Sequence, residues 1–319
     1  MRVTLIHNPD AGQQENDGAK ALLKLLRRAG HKPRYQSAKE QGWDRVLDKR
    51  ADLVVVAGGD GTVASVTRRM VRRGVPVTIL PLGTANNIAR SLGLLKRPFE
   101  ELARGWRDAR RVPLDVGIAS GPWGERYFVE GLGAGLFAGL LVRSEENKEK
   151  KAREKKAKRP AHVVDGALRR LKEAAETAEP VEIAARLDGV DISGNYLLFE
   201  AVNLPYIGPN LFIAPDTRAG DGRLEVVLVP EAQRARLVRY LDHWQENRER
   251  LSLLPSRRGK HLQIEWTGFA LHIDDKLRPK KKAEPDDVAG LVDVRVDGAA
   301  VEFLSLPRPS SSRNRTRKT

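Results

Sequence analysis

Residues 52–62 read Asp-Leu-Val-Val-Val-Ala-Gly-Gly-Asp-Gly-Thr, which places an apolar run directly before a glycine turn, and a helical pattern follows. This order predicts a β-strand, a tight turn and the start of a helix. Glycines let backbone amides approach phosphate oxygens near the positive end of a helix. Asp60 would repel phosphate unless a cation lay between them, which indicates a magnesium-bridged nucleotide. An ordinary turn closed by Asp-Gly is the alternative interpretation.

Two further loops are predicted to reach the same edge of the sheet. The apolar residues 75–80 precede Pro81-Leu-Gly-Thr-Ala-Asn-Asn87, and residues 3–6 precede Asn8-Pro-Asp-Ala-Gly12. In an open parallel sheet, loops that follow the strands meet at the carboxyl ends, where ligands bind. The sequence therefore predicts three polar, glycine-bearing loops around one site.

These loops are accompanied by two later segments, Val112-Pro-Leu-Asp-Val-Gly117 and Ala214-Pro-Asp-Thr-Arg-Ala-Gly-Asp-Gly-Arg-Leu224. In this order and spacing they resemble the diacylglycerol kinase catalytic-domain family, which includes soluble bacterial lipid kinases and the sphingosine and ceramide kinases. The resemblance implies an amino-terminal three-layer α/β nucleotide-binding domain with a parallel sheet and a carboxyl-terminal antiparallel β-sandwich domain. ATP and a lipid substrate would meet in the cleft between them.

The pattern of apolar residues changes near Gly117. Strand and helix patterns alternate up to Gly117, whereas shorter runs of alternating apolar residues follow, as in antiparallel sheets. We expect a nucleotide-binding domain over residues 1–118 and a lipid or substrate domain over 119–298, with a closing strand near 299–306 returning to the first domain.

The resemblance also implies roles for individual residues. ATP would be held by Asn8, Ser37, Gly58, Gly59, Asp60, Gly61, Thr62, Gly83 and Thr84. Asp60 and Asp115 would be the catalytic carboxylates, although Asp115 can equally be a strand residue bonded to backbone amides. A separate Mg²⁺ site would use the Asp221 carboxylate and the backbone carbonyls of Arg218 and Arg223.

Three short segments of the sequence depart from the family pattern. Ala64-Ser65 replaces Asn-Glu, Asn87 replaces an aspartate, and Asp274-Asp275-Lys276 replaces Asp-Gly-Glu, whose glutamate resembles a general base. A lysine protonated at neutral pH cannot accept a hydroxyl proton, so we expect Asp275, or else Asp274, to take this role. A lipid kinase is the favoured interpretation, followed by a non-catalytic nucleotide or lipid binder and, less favoured, an NAD kinase.

The net charge of +15 is concentrated in two segments. Residues 148–159 carry eight basic and two acidic side chains, and 307–319 carry five basic and none acidic, which predicts a basic insertion and a disordered basic tail. Such runs are usually solvated, but they also attract anionic lipid headgroups. No aromatic residues are interleaved with the charges, so no nucleic-acid partner is expected.

Nothing in the sequence predicts secretion or a membrane span. The amino terminus lacks the pattern of a signal peptide, and the longest weakly polar stretch, 131–142, is shorter than the roughly 20 residues that a bilayer requires. The absence of cysteine fits a reducing cytoplasm. We therefore expect a cytoplasmic protein that contacts the inner face of the membrane from the side; the oligomeric state stays open.

Overall fold

The structure is a computed structural model that describes residues 1–12, 18–95, 97–150, 160–246, 254–280 and 288–306. The first half of the chain forms a parallel sheet in the order β2-β1-β3-β4. Its strands are β1 (Arg2–His7), β2 (Lys32–Ser37), β3 (Leu53–Gly58) and β4 (Val77–Pro81). The helices are α1 (Ala19–Arg28), α2 (Asp60–Met70), α3 (Asn87–Ser91) and α4 (Phe99–Gly105).

The central strand β3 is buried along its whole length. This explains its unbroken apolar sequence, because the strands of a parallel sheet are covered by helices on both faces. Leu22 and Leu26 of α1 and Val66 of α2 are fully buried in the same core. The predicted strand, turn and helix around the glycine turn are thus the centre of this half.

Two long strands connect the halves. β5 (Arg110–Gly121) pairs antiparallel with β18 (Gly290–Ser305), and Phe303 of β18 pairs in parallel with Val77 of β4. The end of the chain therefore returns to the first sheet, which becomes mixed rather than wholly parallel. Because β5 and β18 run through both halves, the division at residue 118 stays a prediction.

The second half is antiparallel throughout its described ladders. Its strands are β6 (Gly124–Phe128), β7 (Gly131–Gly135), β8 (Val181–Leu187), β9 (Val190–Asp191), β10 (Gly194–Val202), β11 (Tyr206–Ile207), β12 (Leu211–Phe212), β13 (Leu224–Pro230), β14 (Ser256–Gly259), β15 (His261–Trp266), β16 (Leu271–Ile273) and β17 (Lys276–Arg278). One core, which includes Phe199 and Trp266, lies within the sheet layers. This confirms the predicted carboxyl-terminal antiparallel domain.

Three helices cover the second half, and Leu171 and Leu237 pack into a further core beneath them. They are α5 (Leu136–Lys150), α6 (Pro160–Thr177) and α7 (Arg234–Glu246). Among the described helices, none is both long and apolar enough to cross a bilayer. Most of the predicted basic insertion, from residue 151 to 159, and the whole predicted tail, 307–319, lie outside the described residues.

Candidate active site

The glycine turn and the second predicted loop touch through their backbones. A Cβ atom at Gly83 would lie 2.4 Å from the Cα of Gly59, and one at Gly59 would lie 3.0 Å from the Cα of Gly83. Real Cβ contacts are essentially never as short as 2.4 Å, so position 83 requires glycine, while a side chain at position 59 would be tightly crowded. Asn86 then closes the second loop, because its Oδ1 accepts a hydrogen bond of 2.9 Å from the amide of Gly83.

Asp60 joins the same two loops. Its Oδ1 accepts a hydrogen bond of 3.0 Å from the amide of Ile88 at the start of α3. Burial raises the pKa of the Asp60 carboxyl, and hydrogen bonds from the backbone amides of residues 86–88 oppose this rise. Asp60 is therefore a capping residue as well as a candidate ligand-binding residue.

A polar cleft of about 520 Å³ opens beside these loops, at the carboxyl ends of β1, β3 and β4. We call it the nucleotide cleft. The predicted residues that line it are Asn8, Gly59, Asp60, Gly61, Thr62, Gly83 and Thr84, and further lining residues include Asp10, Lys39, Trp43, Ser65, Arg68, Asp275 and Lys276. The amide nitrogen Nδ2 of Asn8 lies 3.3 Å from the hydroxyl of Thr62, so the first loop also joins the site.

Two predicted residues lie behind this surface. Gly58 is buried, and a Cβ atom there would lie 2.9 Å from Cβ of Thr62, so this glycine makes room for the threonine. Ser37 is also buried, and its hydroxyl accepts a hydrogen bond of 3.2 Å from the amide of Lys39. Both residues support the nucleotide cleft without lining it.

A second, larger cleft of about 940 Å³ lies between the sheet and helices α5 and α6. We call it the apolar cleft. Its apolar lining includes Phe137, Leu140, Leu141, Ala174 and Ile207. Asp60 and Asp275 line both clefts, so the two spaces meet at these carboxylates.

The turn between β16 and β17 carries the segment that departs from the family pattern. Asp274 has a left-handed φ of 51°, and its carboxylate accepts hydrogen bonds from the amides of residues 129–131. Nη1 of Arg68 lies 2.6 Å from its Oδ2. Burial raises the pKa of Asp274, while Arg68 and these amides lower it. With its oxygens occupied in this way, Asp274 is a structural residue and not a free proton acceptor.

Asp275 has a different environment. Its side chain is 54% exposed, and its Oδ2 lies 2.8 Å from Nζ of Lys276. No backbone amide of the described residues is hydrogen-bonded to it. Of the three residues in this segment, Asp275 alone presents a carboxylate to both clefts, while Lys276 faces the nucleotide cleft.

A buried charge pair supports the turn from behind. Nε2 of His272 lies 3.0 Å from both oxygens of Glu200, and its Nδ1 lies 2.9 Å from the carbonyl oxygen of Asp274. The pKa of His272 is lowered by burial but raised more by Glu200 and by the Asp274 carbonyl, so its net shift is upward. Glu200 fits only because position 133 is glycine, where a Cβ atom would lie 2.1 Å from its Oε2.

Glu130 lies at the wall of the apolar cleft, and the sequence alone does not identify it. Burial, followed by the charges of Asp60 and Asp274, raises its pKa well above the ordinary value. Nδ2 of Asn87 donates hydrogen bonds to Oε1 of Glu130 at 3.1 Å and to the carbonyl of Gly208 at 2.9 Å. An aspartate at position 87 would instead set a carboxylate against Glu130.

The structure does not bring Asp115 to either cleft. Its two oxygens accept hydrogen bonds from the amides of Gly222, at 2.8 Å, and Ala299, at 2.7 Å. The Asp221 carboxylate accepts from the Arg223 amide at 3.0 Å and pairs with the Arg258 guanidinium. Binding of the expected magnesium ion by Asp221 and the carbonyls of Arg218 and Arg223 would require this ion pair to open, and the site stays a prediction. Within the described ranges no cluster of three or more His, Asp or Glu suits a metal.

Two of the residues that the sequence alone does not identify, Glu200 and His272, share one sequence signal. Glu200 interrupts the apolar run of β10, and His272 interrupts that of β16, so each is a polar side chain at a position where burial is expected. Arg68 carries no such signal, since an arginine on a helix is ordinarily solvated.

Comparison with known proteins agrees with this architecture. Residues 2–119 match the model of the diacylglycerol kinase catalytic domain, and residues 144–272 match the YegS C-terminal NAD kinase beta sandwich-like domain. The chain belongs to the diacylglycerol kinase catalytic-domain family. This confirms the resemblance carried by the loops, and membership of a kinase family implies ATP as the phosphate donor.

Individual relatives cover most of the chain. The diacylglycerol kinase of Bacillus subtilis (strain 168) is 24% identical over an alignment of 315 positions, which covers 90% of this chain and 99% of that protein. A probable YegS-like lipid kinase of Pseudomonas aeruginosa (strain UCBPP-PA14) is 27% identical over 72% of each chain. The crystal structure of a putative diacylglycerol kinase from Bacillus anthracis str. Sterne aligns with a TM-score of 0.69 at 21% identity, covering 96% of this chain and 98% of that one. At 21% identity the structural match shows a shared fold. The two curated relatives are named as a diacylglycerol kinase and a probable lipid kinase.

Proposed function

We propose that this protein is an ATP-dependent kinase that phosphorylates a hydroxyl group of a diacylglycerol-like or sphingoid lipid. The observation that carries the proposal is the meeting of the nucleotide cleft and the apolar cleft at Asp60 and Asp275. Phosphoryl transfer requires the γ-phosphate and the attacking hydroxyl to lie in line and close together. One polar and one apolar space with a shared wall supply this arrangement.

The residues of the nucleotide cleft have distinct roles in this proposal. The turn of Gly59 and Gly61 lets backbone amides approach phosphate oxygens at the start of α2. Arg68 and Lys276 add positive charge at the same wall. A magnesium ion suits this donor set, because Mg²⁺ is usually held by substrate phosphates with one or two carboxylates, here Asp60, and it would neutralise charge on the phosphates.

Asp275 is the proposed general base. It lines both clefts, and the competing Asp274 is held by Arg68 and three backbone amides. The proton of the lipid hydroxyl would pass to the Asp275 carboxylate as the oxygen attacks the γ-phosphorus, the bond from this phosphorus to the β,γ-bridging oxygen would break, and ADP would leave. Asp60 contributes by fixing the two glycine loops against each other.

The apolar cleft suits a hydrocarbon chain. At about 940 Å³ it lies in the ordinary range for a small-molecule pocket, and Phe137, Leu140 and Ile207 provide an apolar wall. A lipid substrate resides in a bilayer, so we extend the proposal to an anionic membrane surface at which the basic segments 148–159 and 307–319 promote side-on contact.

A second candidate is a relative that binds nucleotide or lipid without transferring phosphate. Lys276 favours it, because a lysine stands where the family pattern has its glutamate and the replacement carboxylate is one residue earlier. The two candidates differ in one measurable product.

The deciding experiment incubates the purified protein with radiolabelled ATP, Mg²⁺ and a panel of diacylglycerol and sphingoid lipids in mixed micelles. We expect a labelled phospholipid from the wild type and a loss of about a hundredfold in Asp275→Asn. The matched control is Asp108→Asn, which changes an exposed aspartate outside both clefts. Nucleotide binding with no labelled lipid from any member of the panel would favour the second candidate.

A further inference from the structure

A third cleft, of about 520 Å³, lies at the amino-terminal edge of the parallel sheet, where β1, β2 and β3 begin. It shares no lining residue with the nucleotide cleft or the apolar cleft. Its cationic lining residues are Arg2, Arg27, Lys32, Arg34 and Arg50, and the neutral ring of His31 lies beside them. No acidic side chain lines it. We call it the basic cleft.

The basic cleft is separate from the nucleotide cleft. Arg2 pairs with Lys32 at the beginning of β1 and β2, and His7 pairs with Ser37 at their end, next to the nucleotide cleft. Six residues of extended strand span about 20 Å, so the two clefts lie at opposite edges of one sheet. A ligand in one does not reach the other.

The positive charges of the basic cleft are poorly balanced by the protein. Arg2 is the exception, since its Nη2 lies 2.5 Å from Oδ1 of Asp52, and this contact lowers the pKa of Asp52 to about 2. Arg27, Lys32, Arg34 and Arg50 form no ion pair with a carboxylate of the described residues. Four cations around one concavity repel one another, and a bound anion would relieve this repulsion.

His31 lines the basic cleft without adding a hydrogen-bond donor to it. It is only 5% exposed, and its Nε2 donates a hydrogen bond of 2.7 Å to the carbonyl oxygen of Ala103. Its other ring nitrogen, Nδ1, is therefore the lone-pair acceptor of the ring, and it is buried without a hydrogen-bond partner among the described residues. A lone pair does not bind an anion, so the attraction of the cleft for an anion comes from the four cations. Burial, and then the charges of the amino terminus and Arg107, lower the pKa of His31.

We propose that the basic cleft binds a phosphate-bearing anion. Guanidinium groups match phosphate oxygens in a bidentate geometry, and Lys32 adds a point charge. No Trp, Tyr or Phe lines the cleft, so it offers no platform for stacked bases and does not suit a nucleic-acid strand. The phosphate can belong to a soluble compound or to a lipid headgroup. This proposal is independent of the proposed kinase activity.

The test uses inorganic pyrophosphate as the soluble probe and vesicles of phosphatidylcholine with phosphatidic acid as the lipid probe. Binding to the full chain is followed by amide chemical shifts for pyrophosphate and by co-sedimentation for vesicles. The cleft variant is Lys32→Gln with Arg34→Gln, two exposed residues that lie two positions apart on the same face of β2. The matched control is Lys24→Gln with Arg28→Gln, which removes the same charge from exposed positions of α1 outside the cleft.

We expect pyrophosphate to shift the amides of His31, Lys32 and Arg34 in the wild type, with affinity reduced about tenfold or more in the cleft variant and less than about twofold in the control. If the phosphate is that of a lipid headgroup, vesicle binding falls in the cleft variant by a similar factor and is retained in the control. Thermal unfolding of both variants checks that the fold is kept. Equal affinity of the wild type and the cleft variant for both probes, or shifts confined to residues 58–62, would overturn the proposal.

Discussion

Nη1 of Arg68 lies 2.6 Å from Oδ2 of Asp274, although 206 positions separate the two residues in the chain. The contact joins α2, which follows the glycine turn, to the turn that presents Asp275. The nucleotide cleft and the proposed general base are therefore held in register by one ion pair whose carboxylate is nearly inaccessible to solvent.

Arg68→Ala is expected to destabilise the protein by about 2 kcal/mol, because it leaves the Asp274 carboxylate buried without its cation. Urea unfolding measures the change. Arg69→Ala is the matched control, since the neighbouring Arg69 pairs with Asp44 at the surface and should contribute less than about 1 kcal/mol. Equal destabilisation by the two variants would contradict a special role for the Arg68 pair.

The segment 274–276 allows a second test by restoring the family's Asp-Gly-Glu. Asp275→Gly alone removes the proposed base and should lower lipid phosphorylation by about a hundredfold. Adding Lys276→Glu to Asp275→Gly should recover most of this loss, because a carboxylate returns at the neighbouring position. Initial rates with saturating ATP report the effect. If Asp275→Gly retains full activity, the proton leaves by another route.

The Glu200 and His272 pair predicts a pH dependence of stability. The folded pKa of His272 is raised above 6.5, so its contribution is fully present below pH 6.5 and is lost as pH rises through the folded value. Burial also raises the pKa of Glu200, which acts in the same direction from about pH 4.5 upward. The wild type should therefore lose unfolding free energy as the solution becomes alkaline.

Urea unfolding at several pH values should show a smaller alkaline loss in His272→Gln than in the wild type. His243→Gln, at an exposed histidine of α7, should keep the wild-type slope. A wild-type slope retained in His272→Gln would mean that other groups control this pH range.

The fit of Glu200 depends on glycine at position 133. Gly133→Ala would place a Cβ atom 2.1 Å from Oε2 of Glu200, so we expect a loss of about 1–3 kcal/mol from overpacking. Gly139→Ala in α5 is the control, because nothing lies within 4 Å of the added methyl group and alanine favours a helix. Thermal melts of the two variants should move in opposite directions.

The sequence predicts those parts of the site in which local pattern determines geometry. The strand, glycine turn and helix around Asp60 follow from residues that are adjacent in the chain, and so does the loop at Gly83. The environments of Asp274 and Asp115 could not be predicted in this way. Their partners, Arg68 for one and the Gly222 and Ala299 amides for the other, come from distant segments that only the fold brings together.

Ser37 is a predicted site residue that does not line the nucleotide cleft. Ser37 stands at the end of β2, the outer strand of the parallel sheet, and its neighbours Ala38 and Lys39 reach the cleft instead. Sequence order identifies the correct loop but not which residue of the loop faces the ligand, because this depends on how the chain leaves the strand.

The paired strands β5 and β18 have a mechanical consequence. They extend without a break in the chain from the first half of the protein into the second, and only the register shift between Asp297 and Val301 interrupts their ladder. Separating the two halves would break many backbone hydrogen bonds between β5 and β18. A twist about this strand pair at the interruption would break fewer. We therefore expect the two halves to twist about these strands more easily than they separate. Such a twist would keep the distance between bound ATP and the lipid hydroxyl nearly constant.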